Sequence, residues 1–178
     1  MAAGLAHLHH HGVIHRDLKP SNVLWVRDAA NRPTMKLADF GISKDLDLDR
    51  ARDEYTLTAS GAGTAGYMAR EFVVLRWTQQ RQKKRLRRGD FQRGDVFALG
   101  CCLFFLLTGG RHPFGDYPCE YEMRIMQGAR PELGHIPAMP RKRHVLAKAL
   151  VEAMVQHDAA ARPSAKTVLN HAFFSFPG

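Results

Sequence analysis

This sequence predicts a mainly α-helical domain with one short β-hairpin near its start, and three observations carry that prediction. Residues 96–107 form an uncharged apolar run. As a helix it would span roughly 18 Å, against a bilayer core of about 30 Å, so it reads as a buried core helix and not a membrane span. Residues 121–127, 145–157 and 164–171 read as further helices, the last opening on Pro163 and Ser164. Residues 23–26 and 35–38 read as two short strands, and the turn-rich stretch 27–33 joins them as a hairpin.

The first element is a helix ending near residue 11, with Leu5 and Leu8 one turn apart and Gly12 as its stop. His7, His9, His10 and His11 gather at its C-terminal end, where they interact favourably with the helix dipole. His7 and His11 have i,i+4 spacing but no acidic or cysteine partner nearby in sequence, so no metal site is expected there. Val13 and Ile14 then lead into His15-Arg16-Asp17-Leu18-Lys19-Pro20-Ser21-Asn22, and the hairpin carries the chain on to Asp39-Phe40-Gly41. A hairpin here brings Asn22 and Asp39 to the same end. Residues 42–60 are polar, acidic at first and then rich in hydroxyls. Asp95 stands at the opening of the core helix, as an N-cap would, and residues 109–115 close that helix with a loop.

At 178 residues the chain is one domain by length, and long enough to bury its own core. Its 45% hydrophobic and 24% charged content are ordinary for a soluble globular protein. The formal charge of +9 is mostly local. Between residues 76 and 93 eight basic side chains face a single acid, Asp90, so residues 72–93 form a basic, insert-like segment. Such a run reads first as a solvated loop, with docking of an acidic partner as the alternative. The three cysteines show no CxxC spacing, and Cys101 and Cys102 lie inside the apolar run, which fits a reducing compartment. The start of the chain lacks a basic-then-apolar leader pattern.

Residues 15–22 fit the pattern H-R-D-L-x-x-x-N without a mismatch, and Asp39-Phe40-Gly41 follows in the right order. On these motifs the chain resembles the C-terminal lobe of a eukaryotic serine/threonine protein kinase, over residues 1–178. The resemblance implies ATP and Mg²⁺ as cofactors and a protein substrate. Phosphoryl transfer needs a carboxylate to orient and accept the proton of the attacking hydroxyl, and Asp17 suits that task. A hard cation prefers amide and carboxylate oxygens, which Asn22 and Asp39 supply. Lys19 joins Asp17 as a catalytic and ATP-binding residue.

The same resemblance makes residues 42–60 the activation loop, with Thr56, Thr58 and Ser60 as candidate phosphate acceptors and Arg16 as the arginine partner. Residues 63–71 look like the peptide-positioning segment. Thr64 matches the family threonine whose hydroxyl bridges the aspartate and the lysine, which favours Ser/Thr over Tyr specificity. Arg70 stands where the family has proline, a departure that loosens the segment without removing chemistry. Glu71 is expected to pair with Arg162, and Asp95 to accept backbone amides of the catalytic loop. Several strings, Leu37-Ala38-Asp39-Phe40-Gly41-Ile42-Ser43-Lys44 among them, look most like the unfolded-protein-response sensor kinase-endoribonucleases. No Gly-rich loop, strand lysine or paired glutamate occurs before His15. The N-terminal lobe is therefore expected to be absent, and the isolated chain to be inactive without it. Such a chain is either a piece of a Ser/Thr kinase or a non-catalytic interaction module. A cytoplasmic location is expected, with any endoplasmic-reticulum tether and any ribonuclease module outside this chain.

Overall fold

The computed structural model describes residues 1–45, 54–56, 63–77 and 85–175. Helix α1 (Ala2–His10) leads through Gly12, at φ 75°, into β1 (Val13–Ile14), which pairs antiparallel with β4 (Lys44–Asp45). Between them lie the catalytic-motif residues and the hairpin of β2 (Val23–Arg27) and β3 (Pro33–Leu37), in register Val23↔Leu37 to Arg27↔Pro33. Asp28 builds the turn: its Oδ1 accepts the backbone N–H groups of Ala30 and Arg32, both at 2.9 Å. Asn31 takes φ 60° there, a conformation its short polar side chain tolerates. β5 (Glu54–Thr56) pairs antiparallel with β6 (Arg85–Arg87), and α2 (Arg70–Trp77) lies between them in sequence. The remaining helices are α3 (Arg88–Thr108), α4 (Pro118–Met126), α5 (Arg141–Met154) and α6 (Ala165–Leu169).

The core is built around α3, which is apolar on all sides and buried accordingly. One face, with Val96, Leu99 and Leu103, packs against Leu5 of α1, Leu150, Val151 and Met154 of α5, and Val168 of α6. The opposite face, with Phe97 and Cys101, packs against Met68, Val73, Phe114 and Ile125. Gly100 lets α5 come close, since a Cβ there would lie 2.8 Å from Met154 Cβ and from Val155 Cγ1. By length and composition α3 could cross a membrane, but 67% of its apolar stretch is buried inside the protein. It is the core helix that residues 96–107 predict.

Two expectations are corrected. α3 starts at Arg88, so Asp95 sits two turns inside it and is not its N-cap. The N-cap is Arg87, and Asp90 closes a capping box three residues on, its Oδ2 accepting the Arg87 N–H at 2.8 Å; a carboxylate in the first turn also favours the helix dipole. The basic segment 72–93 is likewise no simple loop, since α2, β6 and the first turns of α3 occupy its two ends. Residues 78–84 lie outside the described residues.

Candidate active site

The residues read from the motif come together around Asp17. Lys19 Nζ donates to Asp17 Oδ2 at 2.8 Å and to Thr64 Oγ1 at 2.9 Å, while Thr64 Oγ1 donates to Asp17 Oδ1 at 2.7 Å. Asn22 Nδ2 donates to the Asp17 carbonyl at 2.8 Å and to its Oδ2 at 3.3 Å. Burial alone would raise the Asp17 carboxyl. The hydrogen bonds from Lys19 and Thr64 and the charge of Lys19 outweigh it and hold the group below the usual carboxylate range. Asp17 is thus an ionised acceptor held in place from both oxygens. Gly63 brings Thr64 there: at φ 135°, a side chain on it would meet the Arg16 carbonyl at 3.1 Å.

Behind this triangle the loop backbone is braced by buried Asp95. Its Oδ2 accepts the His15 N–H and its Oδ1 the Arg16 N–H, both at 2.9 Å, and His9 Nε2 lies 2.9 Å from Oδ2. These charge-assisted bonds hold Arg16 at φ 67°, a left-handed conformation that costs a non-glycine residue about 1–3 kcal/mol. The Arg16 side chain donates from Nε to the Ile42 carbonyl at 2.6 Å. Burial lowers the Arg16 guanidinium from its ordinary value, and Asp95 offsets part of that shift. His15, fully buried, lies 3.0 Å through Nε2 from the Ala38 carbonyl and packs its ring 5.1 Å from that of Phe40.

The β2–β3 hairpin sets Asn22 and Asp39 at its same end, because Ala38 N donates to the Asn22 carbonyl at 2.9 Å. Asn22 is buried and spends its amide N–H groups on Asp17, which leaves its side-chain oxygen for a cation. Asp39 is exposed at φ 61°, with Oδ1 3.3 Å from the Gly41 N–H. Two protein oxygens fit Mg²⁺, which fills its remaining positions with water and phosphate oxygens. Among the described residues no group of three His, Cys, Asp or Glu side chains stands close enough to hold a metal by itself.

Around this centre, Glu71 and Arg162 meet at 2.7 and 3.0 Å through paired oxygens and nitrogens. Arg70 does not compete for Glu71, since its Nε donates to the Met126 carbonyl at 3.0 Å. Of the expected phosphate acceptors, Thr56 lies in β5, while Thr58 and Ser60 lie outside the described residues. In the basic segment Arg76 pairs with Glu122 at 3.2 Å and Arg93 donates to the Ala160 carbonyl, so an acidic partner would meet exposed cations such as Arg87. Sequence reasoning missed His9 as the third group on Asp95, and Ser43, whose Oγ donates to the His15 carbonyl at 3.2 Å. Neither carries a local signal, because each meets its partner across a long stretch of chain.

With this carboxylate tied to a lysine and a threonine on a mainly helical lobe, the chain belongs to the protein kinase domain family, which it matches over residues 1–174. The curated relatives it matches are named serine/threonine-protein kinases. It is 36% identical over 174 residues to the serine/threonine-protein kinase/endoribonuclease IRE1b of Arabidopsis thaliana, covering 98% of this chain and 17% of that protein. It is likewise 36% identical over 175 residues to the IRE2 serine/threonine-protein kinase/endoribonuclease of Homo sapiens, again 98% of this chain and 17% of the relative. The sensor for unfolded proteins in the ER, ire1, of Schizosaccharomyces pombe is 36% identical over 188 residues, 98% of this chain and 17% of that protein. The chain therefore spans 17% of the length of these relatives. Among solved structures, the Rad53 kinase domain with SCD2 shares the fold at a TM-score of 0.69 and 23% identity, over 99% of this chain and 53% of that one.

Proposed function

We propose that this chain is the catalytic C-terminal lobe of an ATP- and Mg²⁺-dependent serine/threonine protein kinase. The observation that carries the reading is the triangle of Asp17, Lys19 and Thr64, with every contact at 2.7–2.9 Å. ATP supplies the phosphoryl group, and Mg²⁺ neutralises the charge of its phosphates. Asp17, kept ionised, orients the substrate hydroxyl and accepts its proton at a carboxylate oxygen. Lys19 presents a fixed positive charge beside it for the transferring phosphoryl oxygens. Thr64 holds both side chains in place, and the oxygens of Asn22 and Asp39 would hold the metal. The reading puts this lobe on the cytoplasmic side, where ATP is available. A tether to the endoplasmic reticulum would belong to other parts of a longer protein.

The test is phosphate transfer to Ser/Thr and Tyr peptides with Mg-ATP, using this chain and any longer natural polypeptide that contains it. Asp17→Asn serves as the inactive control. Transfer to Ser/Thr peptides well above that control supports the reading, and Asp39→Ala should abolish it. Absence of transfer from both polypeptides would leave the non-catalytic interaction module in its place.

A further inference from the structure

Away from the triangle, a groove of about 390 Å³ opens between the end of α1, the first half of α3 and the start of α6. Its polar lining is His9 and His10 from α1, Gln92 and Arg93 from α3, and Ser164 and Lys166 from α6, with no carboxylate among the lining residues. Arg93 is fixed at the edge by its 3.2 Å bond to the Ala160 carbonyl, and Lys166 is exposed with no ion-pair partner among the described residues. Gln92 Nε2 donates to the His9 carbonyl at 3.2 Å, which holds the wall between α1 and α3. Ser164 Oγ accepts the Thr167 N–H at 3.1 Å, so that hydroxyl has a set position at the mouth.

We propose that this groove binds a phosphate monoester, and that its occupancy is felt at the catalytic loop. Two permanent cations on two different helices, Arg93 and Lys166, match the double negative charge of a phosphate monoester; a single carboxylate would leave one uncompensated. The groove's volume lies within the roughly 300–1,000 Å³ of small-ligand sites, so it accommodates the organic part of an ester beyond the phosphate itself. The link to the loop is short. His9 is one of the groove's lining residues, and its Nε2 sits 2.9 Å from Asp95 Oδ2. That same oxygen accepts the His15 N–H, and its twin accepts the Arg16 N–H. Charge placed in the groove therefore acts on a carboxylate that fixes the backbone of Arg16, next to Asp17.

The experiment needs neither ATP nor turnover, so its failure is separable from failure of the kinase reading. The 178-residue chain is titrated with O-phosphoserine, and in parallel with inorganic phosphate, while backbone amide NMR signals are followed. Saturable shifts are expected at His10, Arg93 and Lys166, and also at His15 and Arg16. Arg93→Ala and Lys166→Ala should each weaken O-phosphoserine binding by about tenfold, while Lys148→Ala, outside the groove lining, should not. Lys166 is exposed, so its variant reports even if Arg93→Ala folds poorly. No saturable shift, or one untouched by Lys166→Ala, overturns the site. Inorganic phosphate binding as tightly as the ester overturns the ester assignment. Binding with His15 and Arg16 unmoved overturns the link.

Discussion

Arg162 and Glu71 form a two-pronged ion pair in which the arginine is almost wholly buried, at 1% exposure. All five guanidinium N–H groups have acceptors: the two Glu71 oxygens and the carbonyls of Gln156, Arg93 and His157. Its carbon lies 5.1 Å over the Phe97 ring, so the pair ties α2 and the chain before α6 to the central helix. Arg162→Ala strands a partly buried carboxylate and three backbone carbonyls at once, and should cost about 3–5 kcal/mol in urea unfolding. Arg162→Lys should rescue little, because an ammonium cannot make the fork. A double-mutant cycle with Glu71→Ala showing no coupling would sink the assignment.

His112 makes stability depend on pH. It is buried, its Nε2 donates to the Gly66 carbonyl at 3.0 Å, and its Nδ1 accepts the Phe114 N–H at 3.2 Å. Burial pushes its pKa from 6.5 down to about 4, the bond to Gly66 opposing only in part. The unfolded chain therefore takes up a proton below pH 6.5 that the folded chain refuses until about pH 4. Stability should be full above pH 6.5 and fall through that window, by at most about 3 kcal/mol. The check is urea unfolding at several pH values, where His112→Asn should flatten the part of the slope due to this residue.

Asp95→Ala removes the acceptor for two loop amides. Each stranded N–H costs about 1–3 kcal/mol, so the loop should loosen before the lobe unfolds. Hydrogen exchange at His15 and Arg16 should accelerate more than exchange in α5. Equal acceleration throughout would mean that Asp95 serves only global stability.

Gly100→Ala tests the packing of α3 on α5. The added methyl would lie 2.8 Å from Met154 Cβ and Val155 Cγ1, atoms close to the backbone that cannot swing aside. Overpacking of this kind costs about 1–3 kcal/mol, against the few tenths to 1 kcal/mol that alanine normally gains in a helix. Thermal unfolding at a higher midpoint than the parent would show that α5 simply retreats.

What could be read from the sequence was what short stretches encode by themselves. The catalytic loop and Asp39-Phe40-Gly41 were legible because each is contiguous. The hairpin was legible because Asp28 and Asn31 favour turn conformations. The Glu71–Arg162 pair came through the family resemblance and not from spacing. The start of α3 was hidden by the surrounding basic residues, where Asp90 looked like a lone acid in a charge run and not like part of a capping box. The β5–β6 pairing and the His9–Asp95 contact join segments far apart in sequence, and no local pattern marks such partners.

Asp95 lies 80 positions after His15 and 79 after Arg16, the two residues whose amides it holds. During synthesis the motif at residues 15–22 leaves the ribosome long before the carboxylate that shapes it has been translated. Contacts of such sequence separation form late, after the chain between them has collapsed. A nascent or interrupted chain thus carries all the chemical groups of residues 15–22 in an unset geometry. On the kinase reading proposed above, that geometry is set only once the central helix docks, so an unfinished polypeptide would be inert.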